Sequence, residues 1–249
     1  MDGSMIIAVW GSPNSGKTTF ATKLATALYD AYQCTAAVLY TDLKTPDLPV
    51  IFPNEKQDEM GSVGVPLSKP EIDSEEVFRN MHIPKGRDNL CFLGYRAGEN
   101  RFTFPKYGRA KAEELLECLG EIAKFVIVDC TSDPEDSVLA SVALEKADTV
   151  LRLSSPDLKS ISFYLSQLPM HVDSAYNVER HIQGINIPNA DVFVPIEEVK
   201  SHLKEVNFTV PFSQAVKEQM QAGRLTERTQ DKRFESRMRE IVDKLVQTE

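Results

Sequence analysis

The 249-residue sequence is poor in the features that mark several protein classes. Its four cysteines, Cys34, Cys91, Cys118 and Cys130, are scattered, and no two have metal-ligand or redox-pair spacing. They read as buried thiols of a reducing compartment, hence a cytoplasmic chain. The four histidines, His82, His171, His181 and His202, are equally dispersed, so the spacing offers no zinc site. No apolar run is long enough to span a bilayer, and the start lacks the charged, apolar and small-residue order of a secretory signal, so a soluble protein is expected. Basic charge is short as well: 28 Lys and Arg stand against 37 Asp and Glu, a net charge of −9. The average field repels phosphates, which argues against non-specific DNA binding and against anchoring to anionic membranes. Arg224, Arg228, Lys232, Arg233 and Arg237 fall close together, but Glu227, Asp231 and Glu235 are interleaved, the pattern of a solvated helix face. No Pro/Gly/Ser-rich linker, repeat or low-complexity tract divides the chain, so one domain over residues 5–249 is expected. Residues 1–4 add nothing to the first strand and could be an expression scar ahead of Met5.

What is present begins with the apolar run Met5 to Trp10, followed at once by Gly11-Ser12-Pro13-Asn14-Ser15-Gly16-Lys17-Thr18-Thr19. This fits G-x-x-x-x-G-K-[ST], in which backbone N–H groups wrap phosphates, the lysine reaches the outer phosphates and the hydroxyl residue ligates Mg²⁺. Phe20 to Tyr32 then carries apolar residues at helical spacing. Strand, glycine loop and helix N-terminus together aim free N–H groups and a positive dipole end at an anion, which separates this stretch from a chance Gly-rich turn.

Further on, Ala36 to Asp42 reads as a strand ending in a carboxylate, and the prolines of Leu43 to Pro49 forbid its continuation. Phe52 to Pro70 is polar and punctuated by Gly and Pro, and a mobile surface excursion is expected there. A short helix is predicted at Ser74 to Met81 and a strand at Asn89 to Gly94. Helices are predicted at Ala110 to Ala123, Glu135 to Ala147 and Asp157 to Leu168, alternating with strands at Phe125 to Asp129 and Thr149 to Leu153. The alternation continues less clearly with strands at His181 to Asn186 and Phe208 to Val210, and helices at Pro195 to Leu203 and Ser213 to Met220. Phe234, Met238, Ile241, Val242 and Leu245 form a closing amphipathic stripe, read as packing on the sheet rather than as a membrane anchor. The order predicts a doubly wound α/β fold: a mostly parallel sheet with helices on both faces.

Asp129 ends the continuous apolar run Phe125 to Val128, the mark of a strand covered on both faces. In such sheets ligands sit beyond the carboxyl ends of strands, so Asp129 and Lys17 should converge, with Asp129 holding Mg²⁺ through water. No Asn-Lys-x-Asp stretch exists for guanine, and Asp129-Cys130-Thr131-Ser132 lacks the glycine of a Ras-like switch, which favours ATP over GTP.

The loop Gly11 to Thr19, the acid at Asp42, Val126 to Ser132, Ala147-Asp148-Thr149-Val150 and the late Val210-Pro211-Phe212-Ser213 resemble, in order and spacing, the ParA/MinD family of ATPases over nearly the whole chain. Asp42-Leu43-Lys44-Thr45-Pro46 is similar to the pilus-assembly and bacterial tyrosine-kinase-like subgroup. The resemblance implies a P-loop nucleotidase fold, ATP and Mg²⁺ as cofactors, a nucleotide-dependent homodimer, and a role in positioning a cargo or assembly with a partner protein. It also implies an adenine contact at Asn186, near the end of a late strand, and at the turn Pro211-Phe212. Two departures stand out. Ser12 occupies the place of the family's signature lysine, which reaches across the dimer to the partner's phosphates. The family's paired acids after the second strand are reduced to one: alignment on strand length makes Asp42 the first acid and leaves Lys44 in the catalytic place, whereas alignment through Pro46, which matches more positions and is preferred, makes Asp42 the later acid that orients the attacking water. Two functional readings follow: a slow ATPase that switches an assembly, or a nucleotide-binding scaffold with little hydrolysis. A kinase is weaker, because no Tyr-rich C-terminal tail exists.

Overall fold

The computed structural model describes residues 3–167, 173–192 and 194–247. Residues 1 and 2 of the leading tetrapeptide, His171, and Leu168 at the end of a predicted helix lie outside the described residues.

Among the described residues seven strands form one sheet: β1 (Met5–Gly11), β2 (Ala36–Tyr40), β3 (Leu90–Leu93), β4 (Phe125–Asp129), β5 (Thr149–Ser154), β6 (His181–Asn186) and β7 (Val206–Val210). Their order is β3-β2-β4-β1-β5-β6-β7, and every pairing between them is parallel. The strand order reverses direction at β1, the topological switch point where open α/β sheets bind ligands. The connecting helices are α1 (Lys17–Tyr32), α2 (Leu48–Ile51), α3 (Gly64–Leu67), α4 (Ser74–Arg79), α5 (Arg109–Ile122), α6 (Val138–Lys146), α7 (Leu158–Gln167), α8 (Ile196–His202), α9 (Gln214–Gln221) and α10 (Lys232–Gln247).

Side chains alternate across a strand, so each strand feeds two cores. From β1, Met5, Ile7 and Val9 join Phe20, Leu24 and Leu28 of α1 and the α10 stripe Phe234, Met238, Ile241, Val242 and Leu245. Ala8 and Trp10 join Leu115, Leu116 and Leu119 of α5 and Leu139, Val142 and Ala143 of α6 on the other face. Helices thus cover both faces, as the uninterrupted apolar strands require. The α10 stripe is buried against α1 and β7. The basic cluster before and within α10 is largely paired with acids: Arg228 Nε lies 2.7 Å from Asp30 and Arg237 Nη1 2.5 Å from Glu240. Among the described residues no helix is long and apolar enough to cross a membrane. Of the cysteines, Cys91, Cys118 and Cys130 are buried and Cys34 is half-buried.

The structure corrects two sequence readings. Residues 52–70 are not a mobile surface excursion: Phe52, Met60, Val63 and Leu67 are buried. Val63 N donates to Gly94 O at 2.9 Å, and Ser62 Oγ donates to the buried Glu99 carboxylate at 2.6 Å. The predicted helix Glu135 to Ala147 is split, because Asp133 accepts from Glu135 N to close a 3-10 turn at Pro134–Asp136, and Ser137 starts α6 afresh. Ser137 Oγ accepts from Ala140 N at 3.3 Å, satisfying one of the free amides of the helix start. Ser137→Ala is expected to destabilise the fold by about 1 kcal/mol, the usual worth of such a cap, lowering the melting temperature by roughly 2–4 °C. A thermal melt by circular dichroism checks this.

Candidate functional site

The parallel register sets Val9 beside Asp129 and Gly11 beside Leu153, so the glycine loop and the strand-end carboxylate share one edge of the sheet. Gly11 must be glycine: its φ is 150°, and a Cβ there would meet Leu153 O at 1.9 Å. Gly16 has φ 77°, and a Cβ would meet Asn186 Nδ2 at 2.5 Å. Gly11 is therefore demanded by the close approach of the β5 backbone, and Gly16 by its left-handed backbone conformation. Ser12 N donates to Leu153 O at 3.1 Å, Ser15 Oγ to Ser12 O at 2.8 Å, and Asn186 Nδ2 to Ser15 O at 2.7 Å. Pro13 and Asn14 form the exposed crest, where Asn14 adopts a left-handed φ of 60°. Thr19 is half-buried in the first turn of α1.

Lys17 Nζ donates to Ser12 O at 3.1 Å and to Ser132 Oγ at 2.7 Å. Burial holds its pKa below the ordinary lysine value, with Asp129 working in the opposite direction. A half-desolvated ammonium without a carboxylate hydrogen bond is available to a phosphate. Ser132 O in turn accepts from Trp10 Nε1 at 2.9 Å, which ties the single tryptophan to the site.

Thr18 Oγ1 donates to Asp129 Oδ2 at 2.5 Å and lies 3.4 Å from Asp47 Oδ1. Asp129 is 4% exposed, and its Oδ1 is buried with no hydrogen-bond partner among the described residues. Burial pushes the Asp129 carboxyl up to about 6, with the Thr18 hydroxyl and Lys17 opposing. Asp47 is pushed up to about 8, by burial first and then by the charges of Asp129 and Asp42. A hydroxyl, an orphaned carboxylate oxygen and a second carboxylate are the hard oxygen donors that suit Mg²⁺, so the residues present fit a divalent cation at Thr18 and Asp129.

Lys17, Thr18, Asp42, Asp47, Asp129 and Ser132 line one cleft of about 230 Å³. A larger cavity of about 450 Å³ beside α10 and β7 contains none of the motif residues. Asp42 sits at the rim, where its Oδ1 accepts from Lys44 N at 2.7 Å and Thr45 N at 2.9 Å and so closes its own turn. Ser12 points away from the cleft: its side chain is fully buried and its Oγ lies 2.5 Å from Ser160 Oγ in α7. Pro211, at the end of β7, is buried next to the strand that carries Asn186, through Ile187 N donating to Val210 O at 3.0 Å.

The structure therefore gathers the loop, Asp42, Asp129 and Asn186 at one edge. It adds Asp47 and Ser132, which the sequence reading passed over. Ser132 lies three residues beyond Asp129, within the segment that the resemblance covered, and that spacing was the available signal. Asp47 had none beyond its proximity to Asp42.

No family model matches the sequence, and no curated protein matches it either. Solved structures do. A ParA family ATPase from Chlorobium tepidum TLS superposes with a TM-score of 0.80 at 12% identity, over 97% of this chain and 99% of that one. The septum site-determining protein MinD of Pyrococcus horikoshii OT3, solved with Mg-ADP, gives 0.74 at 14% identity, over 97% and 96%. MinD of Aquifex aeolicus, solved in complex with MinC, gives 0.73 at 15% identity, over 97% and 95%. With its switch-point loop, all-parallel sheet and end-to-end superposition, the chain has the fold of the ParA and MinD ATPases.

Proposed function

We propose that residues 5–249 form one cytoplasmic, ParA/MinD-like domain that binds ATP with Mg²⁺ and hydrolyses it slowly, as a dimerisation switch for positioning or assembly. The observation that carries this reading is the contact of Thr18 with Asp129 beside Lys17, at the switch point of a fold shared with those ATPases. In it the loop amides and Lys17 hold the phosphates, Thr18 and Asp129 hold Mg²⁺, and Asp42 orients water. Asn186 and Pro211 border the adenine. Within the family we place the chain nearest the pilus-assembly subgroup, on the residues Asp42 to Pro46.

Exposed large apolar side chains support a homodimer. Phe102 is 80% exposed and Leu158 71%, and both lie in segments that leave the carboxyl ends of strands, β3 and β5 respectively. A partner protein comparable to the MinC seen with MinD would read the dimer. Light scattering should give twofold mass with ATP and Mg²⁺ and single mass without; equal masses would remove the dimer from the proposal.

A second reading is favoured by Ser12. With its hydroxyl buried against Ser160, this position offers no cation to a neighbouring subunit, the contribution that acts like an arginine finger. Hydrolysis is then expected to be slow, and a scaffold that binds ATP without turnover is the limiting case. Phosphate release decides between the two. Wild type should exceed Lys17→Ala, and Asp42→Ala should fall toward that control; no release above the control would leave the scaffold.

A further inference from the structure

We propose that Asp47 is a third oxygen donor to the divalent cation, completing with Thr18 and Asp129 a cradle that makes nucleotide binding depend on metal. The inference rests on the Mg²⁺-nucleotide reading above and goes beyond it. Asp47 occupies the start of α2, where an aspartate ordinarily accepts from the helix amides through its side chain. Here it makes no such bond: Val50 N and Ile51 N both donate to its main-chain oxygen, each at 2.9 Å. The carboxylate is turned instead into the cleft, 3.4 Å from the Thr18 hydroxyl. No salt bridge reaches it among the described residues.

The Thr18 hydroxyl has one proton, and Asp129 takes it at 2.5 Å. Two carboxylates thus flank one oxygen with only one hydrogen bond between them. The second independent sign is Asp129, a lining residue of the same cleft, whose buried Oδ1 has no hydrogen-bond partner among the described residues. Lys17 relieves neither acid by hydrogen bonding, since its donors go to Ser12 O and Ser132 Oγ. Above about pH 8, where Asp47 is ionised, three carboxylates, Asp42, Asp47 and Asp129, therefore face one ammonium across about 230 Å³. A triphosphate entering alone would add like charge to that surplus, whereas a divalent cation bridges the carboxylates and the phosphates. Asp42 is the least engaged of the three, because its Oδ1 already holds two amides of its own turn.

The test, run at about pH 8.5 so that Asp47 is largely ionised, titrates Mn²⁺ into protein with ADP and reads bound metal by electron paramagnetic resonance, for wild type and for Asp47→Asn. ADP affinity in EDTA is measured in parallel through Trp10 fluorescence. Asp47→Asn should weaken Mn²⁺ binding about tenfold, a typical loss for a metal-supporting group, and should tighten metal-free ADP binding. Opposite signs in the two arms are the signature, because a merely structural defect weakens both. Equal Mn²⁺ affinity in the two proteins, or weakening in both arms, overturns the proposal. If wild type itself binds no ADP with or without metal, it is the nucleotide reading that fails, and the inference falls with it.

Discussion

Lys17→Ala lowers affinity for ATP with Mg²⁺ by about a hundredfold or more, the loss expected when one partner of a buried, charge-assisted pair is truncated. Lys17 Nζ is held over the cleft by two uncharged acceptors, Ser12 O and Ser132 Oγ, both of which a phosphate oxygen can replace. The loop does not depend on this amine for its shape, since Ser12 O also accepts from Ser15 N at 3.3 Å and from Ser15 Oγ at 2.8 Å. The variant should fold, so its binding defect is attributable to the lost charge. Isothermal titration with ATP and Mg²⁺ measures it; an affinity within about threefold of wild type would show that the amine does not meet the phosphates.

The second large effect is on stability and follows from the carboxylates. Asp47 and Asp129 are raised in the folded protein to about 8 and about 6, chiefly by burial. A carboxyl whose folded pKa lies above its unfolded one binds protons more readily when folded, so its protonation favours the native state at low pH. That advantage is complete below the ordinary carboxylate value and drains away as pH rises through the raised values. The nucleotide-free protein should therefore melt lower at pH 9 than at pH 5. Each pKa unit is worth about 1.4 kcal/mol, and discounting for mutual coupling and for the partial exposure of Asp47 leaves about 2–3 kcal/mol. For a chain of this size that is roughly 5–10 °C. Asp47→Asn should recover most of it at pH 8 to 9 and little at pH 5. Scanning calorimetry across pH checks both the sign and the recovery; a wild-type melting temperature that climbs from pH 5 to 9 would contradict it.

These predictions mark what the sequence made legible. The glycine loop and Asp129 could be read because they sit at the ends of strands whose apolar runs are continuous, and the parallel sheet then brings strand ends together without further information. Asp47 could not be read in this way. It follows a proline in a stretch that periodicity records only as a turn, and its reach to Thr18 depends on how that turn folds back. The segment 52–70 failed for a related reason. Its apolar residues Phe52, Met60, Val63 and Leu67 have no helical or strand spacing, yet each finds a core because the surrounding turns are hydrogen-bonded to the sheet edge and to Glu99. Ser12 stands out as a departure by its position alone, but its inward direction, toward Ser160, depends on how α7 packs against the loop.

The anchoring of the phosphate loop has a kinetic side. Leu153 O grips it at Ser12 N and the Asn186 amide grips it at Ser15 O, so two strands on the same side of β1 fix its backbone before any ligand arrives. The entropy of ordering those residues is lost during folding rather than during association. Ligand capture then requires little rearrangement of the main chain, which favours a fast on-rate and leaves differences in lifetime to the side chains around the cation.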